Sequence, residues 1–178
     1  MASRREQDSL GTKRIPANAY YGIQTFRAVE NFPISGLRLP PEMVRAYGLI
    51  KKAAALTNAA LGRLEPRKAR AIARACDELL RGRFADQFVG DVYQAGAGTS
   101  FNMNANEVLA NRANELLGAR RGTYRFIHPN DHVNMAQSTN DTFPTAIRVA
   151  CLLQLPGLLE VMTDLERALS RNARRFQG

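Results

Sequence analysis

Apolar positions recur at helical spacing in four stretches of the chain. From Pro41, Met43, Tyr47, Ile50, Ala54 and Leu61 keep steps of three, four and seven, and Gly62 stands where a helix would terminate. A second helix is predicted from Pro66, with Ala69, Ile72, Ala73, Cys76, Leu79 and Leu80 on one face and a stop at Gly82. These two make a helical hairpin with a short connection. A third apolar face joins Ala105, Val108, Leu109, Ala113, Leu116 and Leu117, ending at Gly118. The last runs through Ile147, Cys151, Leu155, Leu158, Met162, Leu165, Leu169 and Phe176, with one skip at Asn172. That is a bundle seam, kinked or interrupted near Pro156, and it needs partner helices to cover it.

Between these helices the pattern lapses. Residues 1–10 read as a flexible tail. Residues 11–36 are rich in Gly, Pro, Asn and aromatics, with a short extended stretch from Ala19 to Thr25 broken by Gly22. Loops are expected over 33–41, 83–101 and 119–136. The reading is therefore a mainly α protein. An N-terminal helical domain with a short extended or hairpin segment covers 11–140, and the first long helix of a bundle starts at 141–178.

Composition narrows the class. Among 178 residues, 45% hydrophobic and 23% charged describe an ordinary globular chain long enough to bury a core. No apolar run comes near the ~20 residues of a membrane span, and the polar Met1–Gln7 shows no secretory leader. Cys76 and Cys151 read as small buried hydrophobes rather than a disulfide. Together these features point to the cytoplasm and to no membrane partner. The net charge of +9 comes mainly from arginines scattered along helices without interleaved aromatics, so it reads as a solvated face and not a nucleic-acid site.

Two segments carry candidate chemistry. Gln137-Ser138-Thr139-Asn140-Asp141-Thr142 gathers capping residues ahead of Pro144, so a helix starting there directs free backbone N–H groups toward whatever lies before Ser138. Gly96-Ala97-Gly98-Thr99-Ser100 precedes the third helix; it lacks the lysine of a phosphate loop and the third glycine of a dinucleotide fingerprint. What remains is two helix N-termini, each led by hydroxyl donors, an arrangement that suits a small anion. The third helix also carries Asn102, Asn104, Asn106, Asn111 and Asn114, poor helix formers read here as tying the neighbouring loop down. His128 and His132 flank Pro129 and do not share a helical face, so no metal site is expected.

The segments GAGTSFNMNANEVLAN (Gly96–Asn111) and HPNDHVNMAQSTNDTFPT (His128–Thr145) resemble the conserved regions of the aspartase/fumarase superfamily. So does the earlier run Gly11-Thr12, Ile15-Pro16, Ala19–Thr25 and Asn31-Phe32. The match covers nearly the whole chain. Tyr20–Thr25, Ser100 and Thr139 place it nearer the aspartate ammonia-lyase branch than class II fumarases. The resemblance implies reversible anti-elimination of ammonia from L-aspartate to fumarate through an aci-carboxylate, without a cofactor, in a homotetramer whose active sites draw on three subunits. It implies that Thr99, Ser138 and Thr139 hold the β-carboxylate, that Asn140 lies near the leaving amino group, and that His128, Asn130 and Asp131 match a secondary anion site. The family's Thr-His motif and Gly-Ser-Ser loop, which carries the serine base, are absent from these residues. The base is expected downstream of Gly178, and the chain alone is expected to be inactive. A class II fumarase-like hydro-lyase and a non-catalytic helical module are the alternatives.

Overall fold

The computed structural model describes residues 2–177. Its element order is β1 (Ser3–Asp8), β2 (Gly11–Pro16), α1 (Ile23–Asn31), α2 (Pro41–Ala60), α3 (Pro66–Leu80), α4 (Thr99–Leu116) and α5 (Thr139–Arg175). Short helical turns stand at Ala85–Gln87, Gly96–Gly98 and Pro129–Val133. The mainly helical class and the helical hairpin α2–α3 agree with the apolar periodicity. Gly48 lets these two helices approach closely, since a Cβ there would stand 3.2 Å from Leu80.

The N-terminus differs from the flexible tail expected for residues 1–10. Strand β1 pairs antiparallel with β2, from Ser3 opposite Pro16 to Asp8 opposite Gly11. Its sequence, SRREQD, has no apolar alternation, because the hairpin is fixed by charge. Arg4 donates to the carbonyls of Pro16, Ala19 and Tyr21 and, through Nε, to Glu6 at 2.7 Å. Asp8 accepts two bonds from Arg27 on α1, and that guanidinium holds its carboxyl below the usual range.

The extended stretch expected over Ala19–Thr25 gives way to helix at Ile23. Here the deciding residue is remote. The buried Glu107 carboxylate on α4 accepts from the backbone N–H groups of Gly22 (2.8 Å), Gln24 (2.9 Å) and Thr25 (3.0 Å), while Glu6 takes that of Ile23. Two carboxylates thus satisfy the N–H groups that a helix start leaves open. Gly22 has to lack a side chain, since a Cβ would collide with the Tyr124 hydroxyl and come within 2.7 Å of Glu107.

Helix α4 runs through the core, with Ala105, Val108, Leu109, Ala110 and Ala113 fully buried. Its asparagines do tie loops down. Asn104 bonds Gln87 O and Val89 N, Asn111 bonds Tyr20 O and Gly122 N, and Asn114 bonds Ile127 O and Phe126 N. Asn106 is buried with neither amide atom paired, and no loop accounts for it.

Helix α5 continues through Pro156, where a kink or an interruption was expected, so the helix is not interrupted there. Thr142, Ala146 and Ala150 are buried in the domain, where α5 packs against α2, and Gln154 reaches Glu42 at 3.0 Å. Beyond that the helix leaves the domain. Leu155, Leu158, Met162, Leu165, Leu169 and Phe176 are exposed, and so is Cys151, which the periodicity had placed inside. The seam reading explains both facts: residues spaced for a bundle find no covering helix within this domain. By length and composition alone α5 would also pass for a membrane span, contrary to the sequence expectation. Arg148 is the sole charge between Thr142 and Leu159, and the apolar surface wraps round the helix there.

Candidate functional site

Both candidate segments begin helices, and packing brings those helices together. In the turn before α4, Ala97 (φ 53°) and Gly98 (φ 72°) adopt left-handed backbone in succession. The Thr99 hydroxyl closes this turn by donating to Gly96 O at 2.9 Å, and Phe101 N–H donates to Gln94 Oε1. No side chain caps α4 at Gly98. The face of Gly98 lies directly against the ring of Phe143 in the first turns of α5, with no room for a Cβ. Behind this contact Tyr47 of α2 packs edge-on to Phe101 (5.1 Å between centroids) and near Phe143 (6.5 Å). This aromatic wedge sets the start of α4 beside the start of α5.

Ser138 caps α5. Its backbone is extended (φ −109°, ψ 145°), and its Oγ accepts from Asn140 N–H at 3.2 Å. A hydroxyl that accepts still has its own proton to donate, so capping leaves Ser138 free to bind an acceptor in front of the helix. Thr139 is half-buried and Asn140 is exposed. Among the described residues nothing hydrogen-bonds either side chain. Thr99 and Ser138 are exposed as well, so this donor set opens to solvent. Chemically, it can hold one carboxylate against hydroxyl donors and two helix N-termini.

Sequence reasoning missed the group beneath this surface. Lys51 of α2 has no exposed surface, and its Nζ donates to Asn102 Oδ1 (2.7 Å), Asn134 Oδ1 (2.9 Å) and Gln137 Oε1 (2.9 Å). A signal was present: Tyr47, Lys51, Ala55 and Asn58 share the buried stripe of α2 at steps of four, four and three. A lysine inside such a stripe has to find acceptors.

The His128–Asp131 segment lies elsewhere. It forms the turn Pro129–Val133, with His128 Nδ1 3.2 Å from Asp131 Oδ2 and Asn130 exposed. The preceding residue, Ile127, is held by Asn114, fifteen residues along α4 from Thr99, or roughly 22 Å at the helical rise. His132 accepts from His128 N–H at 2.8 Å and lies 3.0 Å from Lys68 Nζ. Burial, then the Lys68 charge, lowers its pKa. No cluster of three metal-ligating side chains occurs among the described residues.

A helical domain that sets two hydroxyl-led helix starts side by side, with an unfinished bundle helix leaving it, defines a class of architecture. Residues 11–178 match the family described as Lyase, and the chain belongs to that family. It is 51% identical to an aspartate ammonia-lyase of Bacillus sp over 175 residues, covering 98% of this chain and 37% of that protein. It is also 54% identical to a class II fumarate hydratase of Halobacterium salinarum over 168 residues, 92% of this chain and 36% of the relative. A solved fumarate lyase:delta crystallin from Brucella melitensis superposes with a TM-score of 0.95 at 54% identity, covering 98% of this chain and 41% of that one. The chain thus spans well under half the length of the relatives it matches.

Proposed function

We propose that this chain supplies the carboxylate-holding half of an aspartate ammonia-lyase. The observation that carries the reading is the seating of Gly98 against Phe143, which puts the Thr99 and Ser138–Asn140 helix starts at one surface. The similarity to aspartate ammonia-lyases supports the substrate. In the proposed reaction a base removes a proton from the substrate's β-carbon, and the electron pair moves into the adjacent carboxylate to form an aci-carboxylate. That pair then returns to form the C=C bond as the C–N bond breaks, and ammonia leaves. Ser138 and Thr139 donate to the β-carboxylate oxygens, where charge accumulates in the transition state, Thr99 joins them when its hydroxyl turns from Gly96 O to the substrate, and Asn140 faces the amino group. Donors fixed in advance stabilise that charge more than they stabilise the substrate. The base and the α-carboxylate partners come from outside these residues, and α5 joins the bundle of a homo-oligomer through its exposed seam.

Fusing this chain to the C-terminal portion of the Bacillus relative provides the test. Thr99→Ala or Ser138→Ala in that fusion is expected to lower kcat/KM for aspartate on the order of ten- to a thousand-fold, by removing one transition-state donor. Steady-state fumarate formation measures it, and unchanged values in both variants would refute the donor assignment. The fumarate hydratase relative favours a second reading, hydration of fumarate on the same donors, with water in place of ammonia.

A further inference from the structure

The ammonium of Lys51 is enclosed by amides alone. Three N–H protons meet three amide oxygens, on Asn102, Asn134 and Gln137, which uses the full donor set of a charged lysine. The amide orientations are fixed by their other ends. Asn102 Nδ2 donates to Asn134 Oδ1 (3.2 Å), Asn134 Nδ2 to Gln137 O (3.2 Å), and Gln137 Nε2 to Val133 O (2.9 Å) and Met135 O (3.2 Å). Turning any of the three over would set N–H groups against the ammonium. No carboxylate takes part. The titratable groups that face it are Cys76 on α3 and Tyr47 on α2, both pushed up to about 12 by burial and therefore neutral. Burial draws the lysine down to about 7, so its charged form is well populated at and below neutral pH, and the three oxygens are placed to receive that charged form.

The position of this charge gives it a use. Asn102 lies three residues into α4 from Thr99, and Gln137 is the residue before Ser138. Lys51 therefore pins both helix starts from behind and leaves a buried positive charge without a counter-ion among the described residues. We propose that Lys51 is the positioning residue of the anion cradle, locking the start of α4 to the loop before α5 and supplying the charge that a bound dicarboxylate balances. This rests on the carboxylate-holding reading above.

The test uses the 178-residue chain, 15N-labelled, with fumarate and separately inorganic sulfate as probes. At pH 6.5, saturating fumarate is expected to move the Lys51 ammonium resonance together with the backbone amides of Thr99 and Ser138–Asn140. Lys51→Met is expected to bind fumarate at least ten-fold more weakly while keeping its amide dispersion. A stabilising role alone would leave affinity within two-fold of the parent, and that result overturns the proposal. So does an ammonium resonance unmoved at saturation, which the parent chain reports even if Lys51→Met fails to fold. Lys51-dependent binding of sulfate without fumarate would uphold the charged cradle and refute the dicarboxylate-lyase reading.

Discussion

Gly98→Ala, made in the fusion that restores a C-terminal portion, is expected to lower kcat/KM by a hundred-fold or more and to destabilise the domain by about 2–4 kcal/mol. Two costs act together. Alanine at φ 72° carries the left-handed penalty of ~1–2 kcal/mol, and its methyl would occupy the space of the Phe143 ring. Either the turn lifts or the first turns of α5 tilt, and in both cases Thr99 leaves Ser138. A displacement near 1 Å is enough to cost about a hundred-fold in a positioned site. Denaturant unfolding and steady-state kinetics separate the two effects. Phe143→Ala added to Gly98→Ala relieves the collision, so it should recover part of the activity. A Gly98→Ala variant with parental kinetics would show that this contact does not align the site.

Glu107→Ala is expected to remove about 3–5 kcal/mol of stability, a large share of the 5–15 kcal/mol typical of a whole domain. The carboxylate is buried and, among the described residues, is the sole acceptor for three backbone N–H groups at the start of α1. Its loss leaves those donors dry and the helix dipole unopposed. Burial raises the Glu107 pKa, while the N–H bonds oppose that rise. Glu107→Gln should be less damaging than alanine but still costly, because an amide NH2 would face one of the N–H donors. Urea unfolding midpoints measure both variants. A loss under 1 kcal/mol for Glu107→Ala would mean that water replaces the carboxylate and that α1 does not depend on α4.

These two residues also mark where the sequence ceased to be readable. The helices α2, α3, α4 and α5 were legible because their apolar spacing is a local pattern, and their ends follow from Pro and Gly. The hairpin of β1 with β2 was not, since Arg4, Glu6 and Asp8 act through partners well along the chain and leave no alternation. The start of α1 was hidden for the same reason: its cap is a glutamate more than eighty residues away. In the candidate site, Ser138 and Thr99 stood out as helix-start hydroxyls. Their juxtaposition did not, because it depends on Gly98 meeting Phe143 across forty-five positions. Lys51 carries no such mark, because a charged residue within an apolar stripe reads as an interruption. In the fold it is the point where α2, α4 and the loop before α5 are joined. Cys151 erred in the other direction, since bundle spacing does not say whether the covering helix is in the same chain.

The most direct measurement of the central claim is a pair of progress curves for the fusion of this chain with the C-terminal portion of the Bacillus relative, following fumarate by its ultraviolet absorbance. With L-aspartate as substrate the fusion is expected to form fumarate with stoichiometric ammonia, abolished or strongly reduced by Thr99→Ala combined with Ser138→Ala. Fumarate formed from L-malate but not from L-aspartate, by a soluble fusion, would contradict it.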